Sequence, residues 1–129
     1  MFDSHCHLTD GRFDEDRAAV LDASFQAGVT GIVTVASNLE DARAAAKLAG
    51  SHAELAGSHA ALWSTAGIHP HEVSETEDAD LAAVRELAAT DPRVVAIGET
   101  GLDYFYDHSP RELQRRWFEA QLQVAAELD

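Results

Sequence analysis

Asp3-Ser4-His5-Cys6-His7 places two imidazoles two residues apart. Along an extended backbone such residues point to the same side, so His5 and His7 face one point while Cys6 faces away. Neutral imidazole is the commonest protein donor for Zn²⁺ and similar ions. Asp3 lies one step deeper on the same side, where a carboxylate can orient a ligand from behind. Glu99 follows the apolar run Val94-Val95-Ala96-Ile97-Gly98; a carboxylate at such a strand end can hold one ion or bridge two about 3.5–4 Å apart. Gly67-Ile68-His69-Pro70-His71 repeats the alternating histidine spacing and suits either a metal or a substrate at the rim, with Pro70 stiffening the loop. Gly101-Leu102-Asp103-Tyr104 continues beyond Glu99. Glycine there allows close backbone approach, and Asp103 is placed to support the site or to act on a proton. Each motif alone also fits ordinary polar residues at a strand end, so its weight depends on the elements that carry it.

Those elements follow a regular rhythm. Four apolar runs, Phe2 to Ser4, Ile32 to Ala36, Leu62 to Ala66 and Val94 to Ile97, start about 30 residues apart. Short runs rich in Val and Ile and bounded by Gly read as buried parallel strands. Each gap holds one helical pattern. The first covers about Phe13 to Ala27 and stops at Gly28. The second begins near Asn38, with Asp41 as a capping-box variant, and runs to about Ala49, leaving Gly50 to Ala61 as a looser connection. The third spans about Asp80 to Ala89 and closes at Pro92. The fourth has Ser109 as cap, Pro110 in the first turn and Glu112 at the capping-box position. Leu113, Trp117, Phe118, Leu122 and Val124 then give it a wide apolar face, read as core. The pattern is α/β with a parallel sheet. An eight-unit barrel needs about 250 residues, of which four such units supply half, whereas a small open sheet would be complete at this length. In either fold, ligands gather at the carboxyl ends of the strands, which is where His5, His7, His69, His71 and Glu99 fall.

Composition narrows the function classes. With 23 acidic against 9 basic residues among 129, the formal net charge is −14. A basic phosphate-binding surface is thereby excluded, although an enzyme that meets phosphates through bound cations is not. Neither a phosphate-binding P-loop nor a G-x-S-x-G nucleophile motif occurs. The single cysteine, Cys6, cannot form an internal disulfide; this fits a cytoplasmic location and a thiol packed against a helix. No apolar run approaches the roughly 20 residues needed to span a bilayer, and no membrane association is expected. His52, His59 and His108 are expected to be solvated.

Taken together, D-S-H-C-H-L at the start, G-I-H-P-H at Gly67, I-G-E-T-G-L-D-Y-F at Ile97 and the stretch from Gln121 to Leu128 resemble the TatD family of metal-dependent hydrolases over essentially the whole chain. The resemblance implies a (β/α)₈ TIM-type barrel, represented here by four βα units. Residues 1–129 would be the N-terminal half, without strands five to eight. It also implies two divalent cations (Zn, Mg or Mn) and hydrolysis of phosphodiester bonds in DNA, as in a deoxyribonuclease. By motif match His5 and His7 would hold the first ion and Glu99 would bridge both. His69, His71, Asp103 and Tyr104 would lie near the substrate. The family's remaining ligands, including the eighth-strand Asp usually taken as catalytic base, are on strands this chain lacks. No catalytic base is therefore assigned, at most one ion is expected to be well held, and little turnover is expected of the chain by itself. Self-association, or docking with a missing C-terminal half, would cover the open sheet edges. Two other readings stay open: an amidohydrolase or phosphoesterase of a related metal barrel, and a non-catalytic metal-binding or assembly module.

Overall fold

The computed structural model describes residues 1–55 and 61–128. Four strands, β1 (Phe2–Cys6), β2 (Gly31–Thr34), β3 (Ala61–Ala66) and β4 (Val94–Ile97), alternate with four helices, α1 (Arg17–Gln26), α2 (Leu39–Leu55), α3 (Asp78–Thr90) and α4 (Arg111–Leu128). The strands form one parallel sheet in the order β1-β2-β3-β4, as repeated right-handed βαβ units produce. β2 and β3 are largely buried, whereas β1 and β4 expose much of their length at the two edges.

Two apolar clusters hold the layers together. Ala46, Ile68, Val73, Val84 and Trp117 join α2, α3 and α4 to the sheet. Leu8, Leu21, Ile32, Ala49 and Leu62 join α1 and α2 to it. The alanine stripe of α2, Ala42, Ala45, Ala46 and Ala49, is buried throughout; with no side chain beyond Cβ it lets the helix lie close on the strands. Cys6 packs beside the second cluster, and burial pushes its thiol up to about 11, so it stays protonated and unreactive near neutral pH.

Several element boundaries differ from the sequence reading. A 3-10 turn, Gly11–Phe13, precedes α1, because Asp10 accepts a hydrogen bond from the Arg12 backbone and closes a separate turn there. Gly50 does not stop α2, which continues to Leu55. His52 consequently sits on the helix and stacks on Phe25, with its Nε2 buried, rather than lying in solvent; His59 lies outside the described residues. His108 is exposed, as expected. On α4 the buried stripe is Gln114, Trp117, Gln121 and Val124, while Leu122 is 51% exposed. Ser109 does not cap this helix through its hydroxyl, which instead donates to the His71 carbonyl; the Pro110 carbonyl accepts the first helical bond, from the Gln114 amide.

The sheet is curled. Flat strands spaced about 4.8 Å apart would put β2 and β4 roughly 10 Å from each other. Here the Glu99 amide, just past β4, donates to the Ala36 carbonyl just past β2 at 2.8 Å, crossing over the end of β3. Gly67 makes that crossing possible: a Cβ on it would lie 2.5–2.6 Å from the backbone of Gly98.

Candidate metal centre

His5 lies within β1 and His7 just past its end, and the two project to the same side. Nδ1 of His7 lies 2.9 Å from the Val35 carbonyl oxygen. A carbonyl only accepts, so Nδ1 carries the proton and Nε2 presents its lone pair. The His5 Nε2 is 3.3 Å from this atom. From the other edge of the sheet, Glu99 brings Oε2 to 3.8 Å from His5 Nε2 and 3.7 Å from His7 Nε2. The three donor atoms lie within 4.8 Å of one another. Two nitrogens each about 2.0–2.1 Å from a tetrahedral ion stand about 3.3–3.4 Å apart, so the observed imidazole spacing fits one cation. Two neutral nitrogens and a carboxylate are also a donor set that leaves a fourth position for water. Asp3 does not reach either ring in this arrangement; its Oδ1 accepts from the His5 backbone amide at 3.1 Å.

The second histidine pair is wired differently. His69 accepts at Nδ1 from the backbone amide of His71, 3.1 Å away. Its proton is therefore on Nε2, which points towards Glu99 Oε1 at 3.9 Å. Burial holds His69 below the usual histidine range, against the opposing pull of Glu99, so the neutral donor form is favoured. His71 turns its Nε2 to the Asp103 carboxylate in a close hydrogen-bonded contact. That contact, helped by the backbone amides of Tyr106 and Phe105, holds Asp103 down at about 2.

A cleft of about 330 Å³ opens beside these groups, lined among others by His69, His71, Glu99, Asp103 and Tyr106. Thr100 lines it too, and its hydroxyl oxygen is buried without a hydrogen-bond partner among the described residues. Tyr104 does not line this cleft; its ring lies beneath the Arg111 guanidinium, 4.7 Å from the centroid.

Two buried glutamines of α4 fix the loops that carry these residues, and the sequence reading missed both. Gln121 accepts from the Ile68 amide at 2.7 Å and donates to the Ile68 carbonyl at 3.0 Å. Gln114, two helical turns earlier, accepts from the Asp103 amide at 2.8 Å and donates to the Asp103 carbonyl at 3.0 Å. A primary amide matches both backbone groups of one residue at once, so each glutamine clamps one loop. The available signal was their spacing: Gln114 and Gln121 share the helical stripe of Trp117 and Val124.

Residues 2–129 match the family model described as TatD related DNase. Over its full length the chain is 44% identical to the 3'-5' ssDNA/RNA exonuclease TatD of Shigella flexneri serotype 5b, and covers 46% of it. Among solved structures, all of the chain superposes on 48% of YJJV, a TatD homolog from Escherichia coli K12, with 31% identity and a TM-score of 0.84. A structure from Saccharomyces cerevisiae titled an uncharacterized amidohydrolase matches 95% of the chain and 43% of its own length, with 25% identity and a TM-score of 0.82. The chain thus spans about half the length of the relatives it matches, and its four strand-helix units are half of a hydrolase barrel.

Proposed function

The chain belongs to the TatD-related DNase family, and from that premise we propose that it supplies the N-terminal half of a divalent-metal-dependent hydrolase acting on phosphodiester bonds of nucleic acid. One observation carries the reading: His5 and His7 from one sheet edge and Glu99 from the other converge on a single point. In this reading His5 and His7 hold one cation, and Glu99 is the carboxylate available to bridge to a second. Bound divalent cations supply a Lewis acid and lower the pKa of a bound water towards neutrality.

The remaining residues bind and orient. His69, neutral with its proton on Nε2, donates to an acceptor oxygen such as that of a phosphoryl group. Asp103, ionised above about pH 2, fixes the ring of His71. His69, His71 and Asp103 are the residues we place near substrate, with single-stranded DNA or RNA as the substrate class, following the name of the Shigella relative; Tyr104, beneath Arg111, stands outside the cleft. Residues 1–129 form the first half of the barrel in this proposal. They hold at most one Zn, Mg or Mn ion well and turn over little by themselves. A complementary half, or a second copy, would cover β1 and β4. No described helix is long and apolar enough to cross a membrane. A cytoplasmic location is part of this reading; the single cysteine, Cys6, fits a reducing compartment without requiring one.

Titrating Co²⁺ and following its visible absorption tests the centre. Binding is expected to be lost in His7→Ala and Glu99→Ala, and binding unchanged in both would overturn the assignment. Cleavage of a labelled single-stranded oligonucleotide with Mg²⁺, Mn²⁺ or Zn²⁺ is expected to be slight. Strong turnover abolished by His5→Ala would correct the expectation of inactivity, and turnover indifferent to His5→Ala and Glu99→Ala would remove the hydrolase reading. The likeness to the yeast structure titled an amidohydrolase favours a second reading, cleavage of an amide or a related ester. Assaying a phosphodiester and an amide side by side separates the two, and cation binding with neither activity would leave a metal-binding assembly module.

A further inference from the structure

The connection between β4 and α4 displays aromatic rings that the metal centre does not use. Phe105 is 86% exposed and Tyr106 is 65% exposed. Their rings meet edge to face with centroids 4.8 Å apart, and Tyr106 lies nearly parallel to His108, at 6°. Tyr106 also meets the edge of His71, the ring that Asp103 holds in the cleft. The rings are set on a fixed backbone: Asp103 Oδ1 accepts from the amides of Phe105 and Tyr106, and Gln114 clamps Asp103 itself.

We propose that Phe105 and Tyr106, backed by His108, form a stacking platform for the unpaired bases of a nucleic-acid strand whose backbone lies in the adjacent cleft. This rests on the hydrolase reading above and adds how the strand is held. Charge leaves little alternative. The protein carries a formal charge of −14, and Arg111, the cation at the start of α4 beside this loop, is paired with Asp107 and lies over Tyr104. Base–aromatic stacking needs no positive charge and tolerates any sequence, because every base has a π-face. It also requires exposed base faces, which a duplex hides, so the platform selects single strands. A backbone already fixed by Asp103 loses little freedom on binding.

Fluorescence anisotropy at low ionic strength, with EDTA to prevent cleavage, tests this on the whole chain. The probes are a labelled oligothymidylate and an abasic oligomer of the same length and charge. Oligothymidylate is expected to bind tighter than the abasic strand. Phe105→Ala and Tyr106→Ala should each weaken it roughly ten-fold, the size of one lost stack, while Tyr106→Phe should bind like the parent. A 2-aminopurine base in the strand should lose emission on binding the parent and not Tyr106→Ala. Both alanine variants sit at exposed positions, and unchanged circular dichroism shows that they fold. Equal binding of the abasic strand, or alanine variants that bind like the parent, overturns the proposal. So does a change confined to sedimentation behaviour, which would make the rings a protein–protein contact. Failure of the hydrolase reading looks different: cleavage insensitive to Glu99→Ala, with base discrimination intact.

Discussion

The chain carries two His-x-His pairs at strand ends, and they are opposite in what they offer. At the end of β1, the Val35 carbonyl takes the Nδ1 proton of His7 and leaves Nε2 as a lone pair. At the end of β3, the His71 amide occupies Nδ1 of His69 and leaves Nε2 as a donor. The first pair suits a cation, the second an electron-rich oxygen. Identical spacing therefore yields different chemistry, decided by which backbone group meets the ring. The two pairs are also held differently: the ring of His7 by the Val35 carbonyl just past β2, and the loop of the second pair by Gln121 of α4, which clamps the adjacent Ile68.

Three substitutions or titrations put that contrast under load. Removing a metal donor should have the largest effect: His7→Ala is expected to weaken Co²⁺ or Zn²⁺ binding by about 100-fold or more, whereas His69→Ala leaves it within about three-fold. Calorimetric titration of both variants reads this directly, and equal losses would abolish the distinction. Next comes the clamp. Gln121→Leu strands two backbone groups of Ile68, and should cost about 2–3 kcal/mol in urea unfolding. The neighbouring Leu122→Ala, at an exposed position, should stay within about 0.5 kcal/mol.

The smallest effect is a pH dependence with two windows. His69 is held below the unfolded histidine value of about 6.5. The unfolded chain thus binds more protons just below that value, and stability should fall as pH drops through it. His69→Asn, which keeps an acceptor near the His71 amide, should flatten that part of the curve. Asp103, held at about 2 rather than 3.8, contributes stability above about pH 3.8 that disappears as pH falls towards 2. Thermal melts across both windows check the separation, and a curve unaffected by His69→Asn would count against the half-buried neutral ring.

Much of this was legible in the residues. β4 falls at Val94–Ile97 as read, and the other strands begin within one residue of expectation. Strands of this kind declare themselves by short Val- and Ile-rich runs, and period-two geometry at a strand end puts His5 and His7 on one side; that Glu99 meets them depends on the curl of the sheet, which no local pattern declares. The glutamines were hidden because a polar residue on a helix ordinarily faces water; Leu122 drew the expected apolar face aside, and only Trp117 and Val124 marked the true one. Gly50 read as a break, yet the alanines before it pack so closely that the helix continues. The histidine tautomers were beyond sequence altogether, since a carbonyl of Val35 and an amide of His71 carry no residue identity.

The crossing of β4 over Gly67 has one more consequence. The donors for a cation sit on the first and last strands, so flattening the sheet pulls them apart. Ion affinity and sheet curvature are then thermodynamically linked, and such linkage is reciprocal. Whatever factor the bent form gains in holding the ion, the ion returns in favouring the bent form. Metal affinity thereby becomes a gauge of shape: a surface that locks the arc from outside should tighten ion capture, and chelation should loosen the arc by the same factor.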